Sequence, residues 1–348
     1  MNAVADTGAG RPRSAPARPL RGLVAFAVLA AMFCGGFVWS ISIGPEPIGL
    51  GTLLHGIFAP NHSVQQLVVH LVRLPRAMLA GLVGATLAVA GVVMQSITRN
   101  PLGAPEILGV SSGAAVTVAL ATTIVPSIAG VSILFLSFAG GGVAAAMVFG
   151  IARFGRGGLS PVRLALAGVT ISYLLYYLMQ GILICFSQNA DSFFFWLIGG
   201  VTYANWHDIN LAYPWMAGGL VLAMLLAARL NVLALGDDVA KGLGQNVGLT
   251  RFLGAVCVVL LAGAAIGVAG PVAFLGLIVP HIVRRLLHTN NHFVLIPVSM
   301  VCGATLLMYA DIGTRYMNHG VQLPAGIFTS LIGAPCFIYL ARREKLAG

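Results

Sequence analysis

The chain has 348 residues, of which 58% are hydrophobic and 8% charged, against about 25% charged in a soluble domain. Its 19 basic and 9 acidic residues give a net charge of +10, but the basic groups are scattered between apolar runs, which excludes a soluble enzyme, a disordered chain and a nucleic-acid binder. The apolar runs continue for about 20 residues, where the strands of an outer-membrane barrel would alternate over about ten. The composition therefore predicts an all-α, multi-spanning membrane protein.

Residues 1–21, rich in Arg, Pro, Ala and Gly, read as a disordered cytoplasmic tail. A single transmembrane domain is expected over 22–342. Ten apolar runs predict spans at about 22–43, 77–96, 107–125, 129–152, 164–186, 211–228, 252–270, 271–283, 293–310 and 323–341. The first is too long for a signal-peptide core and is read as a retained span. The stretch 193–201 is apolar but too short to cross, and reads as a partial helix. Gly270-Pro271 divides the long run 252–283 into two. With the N-terminus cytoplasmic, 16 of the 19 basic residues fall on the inner side. Only Arg73, Arg76 and Arg315 fall outside, a positive-inside pattern that also puts the C-terminus in the cytoplasm.

None of the ten runs contains Asp, Glu, Lys or Arg, which argues against a proton-coupled carrier, since such carriers place charges at membrane depth. Lys241 and Lys345 are the only lysines, and neither ends a phosphate-binding G-x-x-x-x-G-K-[ST] loop. If ATP drives this protein, another chain binds it. Cys34, Cys185, Cys257, Cys302 and Cys336 show no metal-like spacing and read as apolar filler. Gly81 with Gly84, and Gly263 with Gly267, are expected to make close helix packing inside the subunit. Pro214, Pro297 and Pro335 are expected to kink their spans.

Leu82–Gly91 reads LVGATLAVAG and Leu261–Gly270 reads LAGAAIGVAG, with six of ten positions identical. On the predicted topology the two copies run in opposite directions. This is the pattern of an inverted internal repeat, with halves at about 73–186 and 252–341.

Three stretches carry a more specific signal. The first runs from Arg73-Leu-Pro-Arg76 through Gln95-Ser-Ile-Thr-Arg-Asn100-Pro-Leu102-Gly-Ala-Pro105 to Leu108-Gly-Val-Ser-Ser-Gly113-Ala114. The second is Leu233-Ala-Leu235-Gly236-Asp237-Asp238-Val-Ala-Lys241-Gly-Leu243-Gly244. The third runs from Gly270-Pro-Val-Ala-Phe274 to Pro280-His281-Ile-Val-Arg-Arg285, and continues in Ala310-Asp311, Gln322-Leu-Pro324 and Gly333-Ala-Pro335. Together they resemble the transmembrane permeases of ABC importers for ferric siderophores, haem and vitamin B12, over essentially the whole chain. In look they are closest to the ferric-enterobactin-type permeases.

The resemblance implies a type II ABC importer permease fold of ten helices. It implies assembly with a second permease subunit, a heterodimer being favoured over a homodimer, with two ATPase subunits that bind ATP-Mg, and with a periplasmic substrate-binding protein. The permease lies in the inner membrane and itself binds no cofactor. Haem and vitamin B12 are alternative cargoes on the same fold; a secondary carrier is the weaker rival.

By the same resemblance, Leu235, Gly236, Asp237, Asp238, Lys241, Leu243 and Gly244, in a loop helix at about 234–246, dock on the ATPase. The residues themselves predict a short capped helix, with two acids in a first turn that favours them. Arg73, Arg76 and Arg315 match the arginines that pair with glutamates of the binding protein, a task suited to the bidentate guanidinium. Their plainer reading is snorkelling toward lipid phosphates. Asn100 and Leu102, with Ser160 and Pro161, match positions of the cytoplasmic gate, although Pro161 departs from the usual small hydroxyl residue. His281 reads as a hydrogen-bonded structural residue ahead of a haem or metal ligand.

Overall fold

The computed structural model describes residues 19–44, 49, 51, 63–125, 131–153, 161–186, 190–317 and 323–344. Every regular element among them is helical. In chain order these are α1 (Pro19–Ser42), α2 (Val64–Thr98), a 3-10 turn (Pro105–Leu108), α3 (Val110–Ile124), α4 (Val131–Arg153), α5 (Pro161–Cys185) and α6 (Ala190–Ile198). They continue with α7 (Trp206–Leu233), α8 (Asp237–Gly242), α9 (Val247–Ala269), α10 (Leu275–Leu287), α11 (His292–Tyr316) and α12 (Ala325–Glu344).

All except α6 and α8 correspond to the ten predicted spans. Seven of them are long and apolar enough to cross a bilayer, and α3 and α12 are shorter apolar helices. Helix α10 has 13 residues, about 20 Å, and cannot cross a hydrocarbon core of about 30 Å alone. The partial helix expected at 193–201 is α6. Helix α1 begins at Pro19, inside the stretch read as tail; proline suits a first helical position, where no N–H partner is needed.

Local chemistry sets the helix ends. Asn205, Asn246 and Asn291 cap α7, α9 and α11, each side chain accepting a first-turn N–H. Helix α2 widens into a π turn over Val69–Arg73 just ahead of Pro75, which has no N–H to give and whose ring would press on the Leu71 carbonyl in a regular helix. The predicted break after α9 is present. Gly270 and Phe274 both take positive φ, at 64° and 68°, and α10 starts again at Leu275.

Helix α2 is the centre of the fold. Its most apolar window is 89% buried, against 17% for α1 and 22% for α5, so α1 and α5 keep broad faces open to lipid or other chains. Glycines set the spacing around α2. Gly84 lies against the backbone of Gly303 on α11, and Gly91 against the Gly276 carbonyl on α10. The expected close packing inside the subunit holds for the other marked glycines too: Gly81 faces Phe33, Gly263 faces Phe138 and Gly267 faces Leu134. Helices α2 and α9, which carry the two repeat copies, lie antiparallel: Gly254 near the start of α9 packs on Ile97 at the end of α2. The kink prolines Pro214, Pro297 and Pro335 all lie within helices.

The ten apolar runs are free of charge, but the helices are longer than the runs. Charged residues do enter the long helices, because these run on past their apolar runs. Helix α11 extends to Tyr316 and takes in Asp311 and Arg315. Helix α9 starts at Val247 and takes in Arg251, and α10 carries Arg284 and Arg285. Pairing makes this tolerable, since Asp311, Arg251 and Arg284 each have a polar partner.

Candidate functional site

The structure brings Arg73, Arg76 and Arg315 together at one end of α2. They converge on Asp311, which is fully buried. Arg76 grips it with both Nε (3.0 Å to each carboxylate oxygen) and Nη2 (2.8 Å). Arg315 Nη2 donates to the other side of the same carboxylate at 2.6 Å and Nη1 to Ser40 O at 2.7 Å. Arg73 Nη1 donates to Ile41 O and Ser42 O at the C-terminus of α1, where a helix dipole favours a cation. Gly44 makes room for the Arg73 guanidinium. One carboxylate thus holds two guanidiniums, with a third alongside, and the cluster keeps an excess of positive charge. The side chains of Arg76 and Arg315 are 12% exposed, and Arg315 Nε has no hydrogen-bond partner among the described residues. Asp311 was quoted in a sequence motif, but its role as the clasp joining α2 and α11 was not read from it; the Arg-x-x-x-Asp reverse spacing to Arg315 was the available signal.

At the other end of α2 stands the loop helix α8. Gly236 enters it at φ 118° and Gly244 leaves it at φ 79°, angles that favour glycine. Leu235, Val239 and Leu243 are exposed on it, at 63%, 49% and 65%. Apolar side chains at this spacing, pointing away from the protein, form an uncovered strip. Asp238 and Lys241 are exposed beside them, with a 3.9 Å contact. Asp237 faces the other way. It pairs with Arg251 of α9 at 3.0 Å and with Arg99 at 3.5 Å. Arg99 is the left-handed C-cap of α2 and immediately precedes Asn100. The acidic pair is therefore divided: Asp237 is a strut into the bundle and Asp238 belongs to the surface.

The Asn100 side chain accepts the Leu102 N–H at 2.9 Å, a tight turn after α2. From here the chain folds back into the protein through the 3-10 turn. Pro161 opens α5; Ser160 and Gln322 lie outside the described residues. Beside the Asn100–Leu102 turn, Pro101, His281, Arg284, Arg285 and His288 line a basic cleft of about 610 Å³. His281 has no metal-ligand company, since no group of three His, Cys, Asp or Glu side chains that could hold a metal occurs among the described residues. Deeper in, Gln95 joins α2 to the Gly276 and Leu277 carbonyls of α10 and to Arg284. His292 bridges Ser96 of α2 (2.6 Å) and Asn231 of α7 (2.7 Å). These contacts bind α2 to α10 and α11, and α11 to α7, beside α8.

A bundle of this kind, with short helices that stop within its depth, a charged clasp at one end and an uncovered loop helix at the other, defines an integral membrane transport subunit. The chain belongs to the FecCD transport family, whose profile matches residues 30–343. It is 45% identical over 316 residues to the iron(3+)-hydroxamate import system permease protein FhuB of Bacillus subtilis (strain 168), covering 90% of this chain and 82% of that protein. It is 35% identical to the ferric enterobactin transport system permease protein FepD of Escherichia coli (strain K12), covering 89% and 92%. Among solved structures, the inward-facing conformation of a metal-chelate type ABC transporter superposes with a TM-score of 0.80 at 30% identity, covering 92% of this chain and 99% of that one.

Proposed function

We infer that this chain is the transmembrane permease subunit of a binding-protein-dependent ABC importer that carries a ferric chelate across the inner membrane. The observation that carries the reading is the family match over 30–343, on a chain whose α8 leaves Leu235, Val239 and Leu243 uncovered. Relatives named for ferric hydroxamate, ferric citrate and ferric enterobactin transport support iron chelates ahead of haem or vitamin B12. The family also argues against a secondary carrier, a stronger ground than the charge-free spans expected from sequence.

In this reading α8 lies on the cytoplasmic side, as do both termini, and docks on one of two ATPase subunits that bind ATP-Mg. The exposed leucines fill an apolar hollow of that partner. Asp237 passes its movement to Arg99 and Arg251, and so to α2 and α9 at the Asn100–Leu102 turn. A loaded substrate-binding protein sits on the far side over Arg73, Arg76 and Arg315. Its carboxylates meet the surplus positive charge of the cluster through the guanidinium edges left free by Asp311. A second, related permease completes the path, and the chain breaks no covalent bond.

The test is radio-iron uptake in a deletion strain complemented with the chain, offering hydroxamate, citrate and catecholate chelates, and haem and cobalamin separately. Uptake of one iron chelate is expected, abolished by Leu235→Asp with Leu243→Asp together with loss of ATPase copurification. Restoration confined to haem or cobalamin would overturn the cargo, and ATPase capture unchanged by the double substitution would overturn the docking role of α8.

A further inference from the structure

The last turns of α10 gather positive charge that the subunit does not balance. Helix α10 starts where Gly276 abuts Gly91 of α2, and its 13 residues end beside Pro101, just past the end of α2. Between them lies the cleft of about 610 Å³ lined by Pro101, His281, Arg284, Arg285 and His288. Among the described residues that lining holds two guanidiniums and two imidazoles but no carboxylate. Four other arginines of the bundle meet an acid: Arg76 and Arg315 share Asp311, and Arg99 and Arg251 share Asp237. Arg284 and Arg285 make no ion pair among the described residues. Arg284 donates instead to the neutral Gln95 side chain. A helix C-terminus carries about half a negative charge, which leaves two guanidiniums well short of balance.

A second observation concerns the rim of the cleft. At about 100° of helix rotation per residue, Arg285 divides two faces of α10. His281, Arg284 and His288 lie to one side of it, in the cleft. Ile282 and Leu286 lie to the other side, 37% and 47% exposed. Phe293 and Val294, in the first turn of the next helix, are also exposed. Charge and bare apolar surface thus stand side by side at one helix end. A soluble anion would use the charge and leave the apolar face uncovered; an amphiphile uses both. The cleft has the size of a small-molecule site, enough for a phosphate ester headgroup. Guanidiniums suit that headgroup because each can bind two phosphate oxygens at once, and the imidazoles add N–H donors.

We propose that this cleft binds the phosphate of an anionic phospholipid, held by Arg284 and Arg285 with His281 and His288, while its acyl chains cover Ile282 and Leu286. Basic pockets at the cytoplasmic ends of membrane helices take anionic headgroups in this way. The choice of leaflet, though not the site, rests on the reading above that places α8 and both termini in the cytoplasm. The bound lipid bridges α10 and the turn after α2, the same two elements that Gln95 joins deeper in.

The test is native mass spectrometry of the assembled importer, delipidated in dodecyl maltoside and then given dioleoyl phosphatidylglycerol and dioleoyl phosphatidylcholine in equal amounts. Inorganic phosphate serves as the soluble probe. The unsubstituted importer is expected to retain phosphatidylglycerol over phosphatidylcholine by about fivefold or more. Arg285→Gln with His288→Gln, both at exposed positions, is expected to bring that ratio close to one, with the lipid-free melting temperature unchanged. Arg285→Lys, which keeps the charge, should keep most of the preference. Arg229→Gln, at an exposed arginine outside the cleft, should keep all of it. Equal retention of the two lipids, or a preference unmoved by the double substitution, would overturn the site. Phosphatidylglycerol displaced by millimolar inorganic phosphate would overturn lipid as the occupant in favour of a soluble phosphate compound. Retention needs no ATP, iron or binding protein, so its failure leaves the permease reading standing. ATP-driven radio-iron uptake by the unsubstituted importer in vesicles tests that reading separately.

Discussion

Asp311→Asn removes one negative charge and almost no volume, so its effect isolates the electrostatics of the clasp. In the native chain the fully buried carboxylate accepts from Arg76 at 2.8–3.0 Å and from Arg315 at 2.6 Å. Asparagine keeps one acceptor oxygen and turns an NH2 group toward a guanidinium, leaving two arginines of low exposure without a counter-charge. Breaking a buried pair from one side costs about 3–5 kcal/mol. At roughly 2–4 °C per kcal/mol for a chain of this order of size, the melting temperature should fall by on the order of 10 °C. Trp39 reports locally, since its ring meets Tyr316 edge-on at 5.9 Å beside Arg315. Fluorescence-monitored melting of the detergent-solubilised protein is the assay. Adding Arg315→Gln to Asp311→Asn should recover part of the loss, because one stranded charge goes with it. A fall below about 2 °C for the single substitution, or a double variant worse than the sum of the two singles, would refute the clasp.

Two further outcomes follow from close approach and from the strut. Gly84→Val places a branched side chain against the backbone of Gly303 and should push α2 and α11 apart at a cost of about 1–3 kcal/mol; a lowered melting temperature and reduced recovery of folded protein would show it, whereas the same change at Gly218, which faces open space, should leave both near wild type. Asp237→Asn loosens α8 from Arg99 and Arg251 without touching the leucine strip. The ATPase should still copurify, while iron carried per ATP hydrolysed in reconstituted vesicles drops several-fold; an unchanged ratio would show that the strut transmits nothing.

What the sequence made legible, and what it hid, divides along physical lines. The spans were readable because hydrocarbon demands long apolar runs, and the break at Gly270-Pro271 because a glycine free to take positive φ, followed at once by a proline without an N–H, ends a helix. The loop helix was readable because glycines and first-turn acids mark its ends locally. Partnerships across the bundle were not. Arg73 and Arg76 looked like free outward charges, since nothing near them in sequence points to Asp311, 235 positions from Arg76; only the four-residue spacing of Asp311 to Arg315 was a local signal. The two acids of Asp237-Asp238 looked equivalent, and only packing against α9 and the end of α2 separates strut from surface.

Glu106 shows the same limit most clearly. It falls between two apolar runs, so hydropathy assigns it to a loop, and a loop charge carries no message about depth. Depth enters only when Pro105 reaches Gly276 and Ser172 reaches the Glu106 carbonyl. A turn that folds back into the protein breaks the rule that position along the chain tracks position across the membrane. Such turns need protein on several sides to satisfy their backbone, which α2, α5 and α10 supply here, and small residues where they pack, which Gly168 and Gly276 supply. Gly168 and Gly276, which the sequence did not mark as packing sites, are thus what lets the Pro105–Leu108 turn pack between α2, α5 and α10.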